Sequence, residues 1–193
     1  ILNINNSISK LENFAILSPS SDNPLYPNYR TSSDQIKKDN SKSISNVDEI
    51  DGYSMIINKD FFEDNIFFDE KFFMYLENVD LCLRVKKNSG KLYIVTNSNI
   101  HHLGAKAVDD RYSEEIELSR NWHWMWSRFY FNKKHRGILV SILLGLTSLL
   151  GNFIKYSLCV LTFNNKRKIY KMRMSGIINA LLGKQSWYRP EIN

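Results

Sequence analysis

From Gly137 to Phe163 the chain reads GILVSILLGLTSLLGNFIKYSLCVLTF, twenty-seven residues in which Lys155 is the one charge. Few folds accommodate such a run. It exceeds the roughly 20 apolar residues that a bilayer-spanning helix needs. It is therefore a span, a helix lying in a membrane surface, or a helical hairpin sheltered in a soluble core. Gly145, Gly151, Asn152 and Lys155 interrupt it, and both flanks are basic, with NKKHR before it and NKRK and KMR after. Basic flanks with Trp and Tyr nearby suit helices that lie at headgroup depth in an anionic interface. Interfacial or re-entrant helices rank first, a single span second and a soluble core third.

Charge divides the chain in the same direction. Residues 120–193 hold thirteen Lys/Arg and one acid, Glu191, while residues 1–119 hold thirteen Lys/Arg and nineteen acids. The tail is thus +12 and the front −6, within a net charge of +6. A basic, apolar tail is drawn to anionic surfaces. Nucleic acid is a poor fit for that surface, because no helix-turn-helix, RNA-binding signature or zinc finger is visible and the uncharged run is too long. Cys82 and Cys159 each lie in an apolar stretch and read as reduced, buried thiols rather than a disulfide or metal pair. The polar opening ILNINNSISK reads as no secretory leader.

The front half is punctuated like an α/β domain. FAILSPSS (Phe14–Ser21) predicts a strand, and residues 22–46 a long polar loop. Asp51-Gly52 predicts a turn before a strand at Tyr53–Ile57, with a helix starting near Asp60. After a Ser-Gly turn, a strand is expected at Leu92–Thr96, followed by His101 and His102. Past Gly104 the character changes. The stretch DDRYSEEIELSRNWHWMWSRFYFNKKHRG, residues 109–137, is expected to be largely helical, acidic at its start and basic at its end as the helix dipole favours. Trp122, Trp124 and Trp126 are spaced by two, so their rings must point in several directions.

Between these parts lies FFDEKFFMYLENVDLCLR (Phe67–Arg84), where Glu77 and Asp80 share a helix face at a spacing of three. Two readings stand for the acids. Carboxylates desolvated among Phe72, Phe73, Tyr75 and Leu76 would suit proton abstraction. Alternatively they decorate a helix, with Arg84 as the i+4 partner of Asp80. His101 and His102 at a strand end are either ligands for a divalent cation, among several, or hydrogen-bonded loop histidines.

The order of these pieces resembles the C-terminal half of the family 2 glycosyltransferases, in particular the rhamnosyltransferase-like branch. The similarity runs over about residues 47–137: VDEIDGYSMIINKDFF, then FFDEKFFMYLENVDLCLR, a turn glycine, a strand, HHLGAKA, and SRFYFNKKHRG. That resemblance implies a GT-A-type, Rossmann-like α/β fold over residues 1–119, followed by a basic, helical, membrane-associated tail over residues 120–193. It implies inverting transfer from a nucleotide-diphosphate sugar, such as a dTDP-rhamnose-like donor, to a glycan or lipid-linked acceptor. The setting would be bacterial surface-polysaccharide synthesis at the cytoplasmic face of the cell membrane.

By the same resemblance Glu77 falls on the Glu of the family's Glu-Asp pair, and Asn78 stands where the family has the Asp that is its usual candidate base. Because Asn cannot take up the proton, Glu77 is expected to serve as base, with Asp80 orienting the acceptor or the helix. Gly52 lies by the sugar pocket, Arg84 and Lys106 serve substrate binding, and His102, with His101 as the alternative, approaches a divalent metal (Mg or Mn). Ala107 stands where Ser is common. The family's Asp-x-Asp is absent here, and the opening at Ile1 reads as a piece lacking the donor half. A truncated, non-catalytic membrane-associated module is the rival expectation.

Overall fold

The computed structural model describes residue 11 and residues 13–23, 26–32, 43–63, 66–102 and 109–190. The chain forms two compact units, Ile1–Asp69 with Glu77–Gly104, and Glu70–Leu76 with Ala105–Asn193. The second unit begins, apart from its short first segment, where the sequence changes character after Gly104.

The first unit is mixed α/β. Its strands are β1 (Phe14–Ser21), β2 (Tyr29–Arg30), β3 (Ile44–Val47), β4 (Glu49–Ile50), β5 (Ile56–Ile57) and β6 (Lys91–Ile100). Four of them form a sheet in the order β3-β6-β1-β5, and β2 pairs with β4. β1 and β6 run parallel, with Leu17 opposite Tyr93, while β3 and β5 are antiparallel to their neighbours. In β1, Ala15, Ile16 and Leu17 are all buried. Consecutive burial of this kind marks a central strand covered on both faces. Helix α1 (Glu77–Lys87) buries Leu81, Cys82 and Val85 in the cluster that includes Val47, Ile50 and Ile94. That i, i+1, i+4 stripe is the core-facing side of an amphipathic helix.

Four expectations change here. The stretch 22–46, expected as a loop, contributes β2 and most of β3. The strand expected over Tyr53–Ile57 shrinks to Ile56–Ile57, and Tyr53 sits in the preceding turn. The helix expected near Asp60 is a single 3₁₀ turn, Lys59–Phe61, capped by Asn58 Oδ1 accepting from the Asp60 N–H. It stops because Phe62 enters the core and Phe61 packs against it. β6 runs on to Ile100, past the expected Thr96, because after a register shift its end pairs with Ser20 and Ser21.

The second unit is helical: α2 (Ser113–Arg136), α3 (Ile138–Leu161) and α4 (Arg167–Leu181). Gly137, at φ 91°, takes the left-handed turn between α2 and α3 that a side chain would resist. Trp122 and Trp126, four apart on α2, form the core with Phe129 and Ala180. Trp124 points outward and meets Tyr75 edge-on. The spacing of two is thereby resolved into opposite faces of one helix. Both core indoles keep their N–H satisfied, Trp122 by Ser175 Oγ at 3.1 Å and Trp126 by the Lys184 carbonyl at 2.9 Å. Gly176 lets α4 close on α2, since a Cβ there would lie 2.4 Å from the Trp122 carbonyl oxygen.

The rings of the 70–76 segment belong to this helical unit. Phe72 is edge-on to Tyr130, Phe73 lies by His123 under the Arg189 guanidinium, and Ser127 Oγ donates to the Met74 carbonyl at 2.7 Å. Their packing partners are on α2 and the C-terminal segment.

α3 is one unbroken helix despite Gly145, Gly151 and Asn152. It is long and apolar enough to cross a membrane, and only 17% of its most apolar window is buried. A helix sheltered in a soluble core is usually mostly covered, which α3 is not within this chain.

Candidate functional site

The site is built where a turn faces the start of α1. Glu77 and Asp80 lie in the first turn of α1, where free backbone N–H groups favour negative charge. The chain enters that turn through Tyr75 and Leu76, both left-handed at φ 70° and 68°. Neither is glycine, and each such residue stores on the order of 1 kcal/mol of strain.

Opposite lies Gly52. A Cβ placed on it would be 3.5 Å from Asn78 Cβ and 4.0 Å from Glu77 Oε1. A methyl group would fit at ordinary contact distance, so the backbone does not demand glycine; what Gly52 keeps open is the space before Glu77. Within this unit Glu77 Oε2 and the Tyr53 hydroxyl are both buried without a hydrogen-bond partner. Tyr53 also stacks on the His102 ring, with centroids 4.2 Å apart. The turn residues Gly52 and Tyr53 thus link the expected base to one of the two expected histidines.

The neighbouring side chains hold this arrangement. Asn78 Nδ2 donates to the Ile50 carbonyl at 3.0 Å, pinning α1 to β4. Asp80 is 0% exposed and accepts from Arg84 Nε at 2.9 Å, the i+4 pair that the spacing allowed. The Arg84 guanidinium also donates to the carbonyls of Ile66 and Phe67, tying the segment before the helix to its body. Arg84 is thereby engaged within the fold. Cys82 Sγ accepts weakly from the Ile50 N–H, and burial pushes its thiol pKa up, which makes it a poor nucleophile. Both cysteines are free, Cys82 buried and Cys159 half-buried.

His101 Nδ1 lies 2.7 Å from Asp22 Oδ2. Asp22 follows β1 and His101 follows β6, so the pair marks the C-terminal edge of the parallel strands, where ligands of open α/β sheets usually bind. At that edge Ser20, Ser21, Asp22, Tyr29, Arg30 and Thr31 line an open cleft of about 700 Å³. Arg30 is held there by Glu49 and, at 3.7 Å, Asp51.

Among the described residues no three His, Cys, Asp or Glu side chains stand together as a metal ion would require. His101 and Asp22 offer two ligands, and His102 faces Tyr53. These residues do not make a divalent-cation site by themselves. Lys106, expected to contact phosphate, lies outside the described residues. The structure thus brings together Gly52, Glu77 and Asn78, and separately Asp80 with Arg84.

Tyr53, Asp22 and Arg30 escaped the sequence reading. Asp22 had a signal, since it directly follows a strand that ends in Ser-Ser. Tyr53 had none beyond its place after Asp-Gly. No protein-family model, curated protein or solved structure matches this chain.

Proposed function

We propose that the chain carries the acceptor side of an inverting glycosyl transfer. A nucleotide-diphosphate sugar of the dTDP-rhamnose kind would give its sugar to a hydroxyl of a glycan or lipid-linked acceptor, at the cytoplasmic face of a bacterial membrane. The mixed sheet with its parallel β1–β6 pair is compatible with the GT-A-type fold that this reading needs.

One observation carries the proposal: Glu77 Oε2 is buried, has no hydrogen-bond partner, and lies on the side chain facing Gly52. An unmade hydrogen bond at a buried group costs about 1–3 kcal/mol. An acceptor hydroxyl donating to that oxygen relieves the cost and is placed for deprotonation. Its oxygen attacks the anomeric carbon of the donor while its proton passes to Glu77. The bond from that carbon to the diphosphate breaks, the diphosphate leaves with the electron pair, and configuration inverts. Asp80 acts through the helix, with Arg84, as a positioning residue.

The test is sugar transfer by the full-length protein from labelled nucleotide sugar to membrane acceptor, normalised to folded protein. Glu77→Gln is expected to lower kcat by about 10²–10⁴-fold, the usual contribution of a general base. Asp80→Asn should retain activity per folded molecule. The reverse pattern sinks the assignment.

A second reading, a non-catalytic membrane-associated module, draws on Asn78. Its amide is committed to the Ile50 carbonyl at the position where the resemblance places an Asp. Folded protein that binds no nucleotide sugar by calorimetry, with Mg or Mn present, would favour that reading.

A further inference from the structure

We propose that the helical unit docks in the plane of an anionic phospholipid bilayer. α3 lies along the surface with one face in the acyl chains, and the cations of α2 and α4 sit among the headgroups. This inference rests on the helical unit alone and stands or falls separately from the glycosyl-transfer reading.

The polarity of α3 is inverted. Its buried residues are Ser141, Gly145 and Asn152, while Leu139 is 79% exposed, and Leu143, Leu146, Leu150, Phe153 and Ile154 are exposed as well. At 100° per residue these six fall in one stripe, opposite the small and polar three. Helices that meet lipid bury small and polar residues against their neighbours in this way, because the solvent outside is as apolar as leucine. Both neighbours approach α3 on its small side: the Cβ position of Gly145 is 3.0 Å from the Phe129 ring of α2 and 3.8 Å from Ile177 of α4.

The cations decide between lying and spanning. α3 is 24 residues long, about 36 Å as a helix. The exposed Arg128 of α2 borders the same narrow cleft as Leu144, Gly145 and Ser148, well inside the length of α3. Lys155, within α3 itself, lies over the Tyr170 ring of α4. An upright α3 would carry both cations into the hydrocarbon, where charge is strongly disfavoured. Lysines and arginines also bracket both ends of α3, Lys133, Lys134 and Arg136 on one side and Lys166, Arg167 and Lys168 on the other. A spanning helix would show a bias to one side. An in-plane helix places every one of these groups at headgroup level. The +12 charge of residues 120–193 specifies an anionic surface.

The test uses the full chain and vesicles of phosphatidylcholine with or without phosphatidylglycerol. Binding should be at least about tenfold tighter with phosphatidylglycerol and should weaken as salt rises. Leu143→Asp with Leu150→Asp should weaken it by a further factor of about ten or more at unchanged circular dichroism, since each charge would enter the acyl layer. Equal binding by that double variant overturns the proposal, as does failure of the parent chain to bind anionic vesicles.

Orientation is read by single cysteines, Arg136→Cys or Asn164→Cys, in a Cys159→Ser background, with Cys82 buried. Expressed in cells, both positions should react from the cytoplasmic side with a membrane-impermeant maleimide. Labelling of one from each side would establish a span and overturn the in-plane arrangement.

Discussion

The sheet unit of this protein and helix α3 solve the problem of burial in opposite ways. In the sheet unit the interior is Ala15, Ile16, Val47, Ile50, Leu81, Leu92 and Ile94, and the ion pairs Arg30–Glu49 and Lys86–Asp48 lie at the surface. Helix α3 differs from the rest of its own unit, whose core is Trp122, Trp126, Phe129 and Ala180: in α3 the buried residues are Ser141, Gly145 and Asn152, while large apolar side chains such as Leu139, Leu143 and Leu150 face outward. Water on the outside explains the first pattern through the hydrophobic effect. It does not explain the second, which on the docking proposal reflects an apolar solvent along one face of α3. On that proposal one chain is matched to two surroundings.

The largest expected effect lies in the helical core. Trp122→Ala removes a fully buried ring and its bond to Ser175, and should destabilise the helical unit by about 4 kcal/mol in a denaturant titration. In the sheet unit the counterpart is Arg84→Ala, which removes the ion-pair partner that lies 2.9 Å from the buried Asp80 carboxylate. A loss of about 3 kcal/mol is expected, the low end for breaking a buried pair, because Arg84 itself is partly exposed. If Arg84→Ala were neutral, Asp80 would not be the structural anchor of α1. Gly176→Ala, which forces a methyl onto the Trp122 carbonyl, should cost about 2 kcal/mol through separation of α4 from α2.

Smaller effects separate the units by pH. Burial holds the His123 imidazole pKa below its ordinary value of 6.5; the Tyr188 carbonyl opposes that shift, and Arg189 adds to it. Nδ1 is 2.8 Å from Ser186 Oγ and Nε2 is 2.8 Å from the Tyr188 carbonyl, a pattern that the neutral ring satisfies by accepting from the serine and donating to the carbonyl. A depressed folded-state value means that the unfolded chain takes up the proton first. The helical unit should therefore be most stable above pH 6.5 and lose stability as pH falls from there through the folded-state value, which melting curves across that range will show.

Asp48 in the sheet unit behaves alike at lower pH. Its carboxyl is lowered from 3.8 to about 2, first by Lys86 and then by the N–H and hydroxyl of Ser32. Its contribution is complete above pH 3.8 and is lost as pH falls through about 2. Lys86→Ala should move the NMR titration of Asp48 back toward 3.8 while changing stability by about 0.5 kcal/mol, because the pair is exposed.

Part of the secondary structure was legible in the residues. Phe14–Ser21 is the strand that its apolar run indicated, and the helix Ser113–Arg136 lies within the stretch that its charge gradient marked as largely helical. What periodicity did not reveal was set by tertiary contacts. β6 is longer because Ser20 and Ser21 pair with its end, and the helix near Asp60 stops because Phe61 and Phe62 are drawn to the core. The aromatic run at 67–76 lacks a clean period for a similar reason. Phe67 joins the sheet core and Phe72, Phe73 and Tyr75 join the helices, so two packing demands overlap in one stretch and no single period fits. At the site, spacing gave the Asp80–Arg84 pair but not the partnerless Oε2 of Glu77 or the Tyr53–His102 stack, which depend on a turn brought against α1 from elsewhere in the chain.

The claim that the sheet unit and α3 are made for different surroundings is tested most directly by amide hydrogen exchange of the full chain with and without phosphatidylglycerol-containing vesicles. Exchange should slow across residues 138–163 when vesicles are added and stay unchanged across Phe14–Ser21 and Lys91–Ile100. Unaltered exchange in 138–163, or slowing confined to the strands, would contradict it.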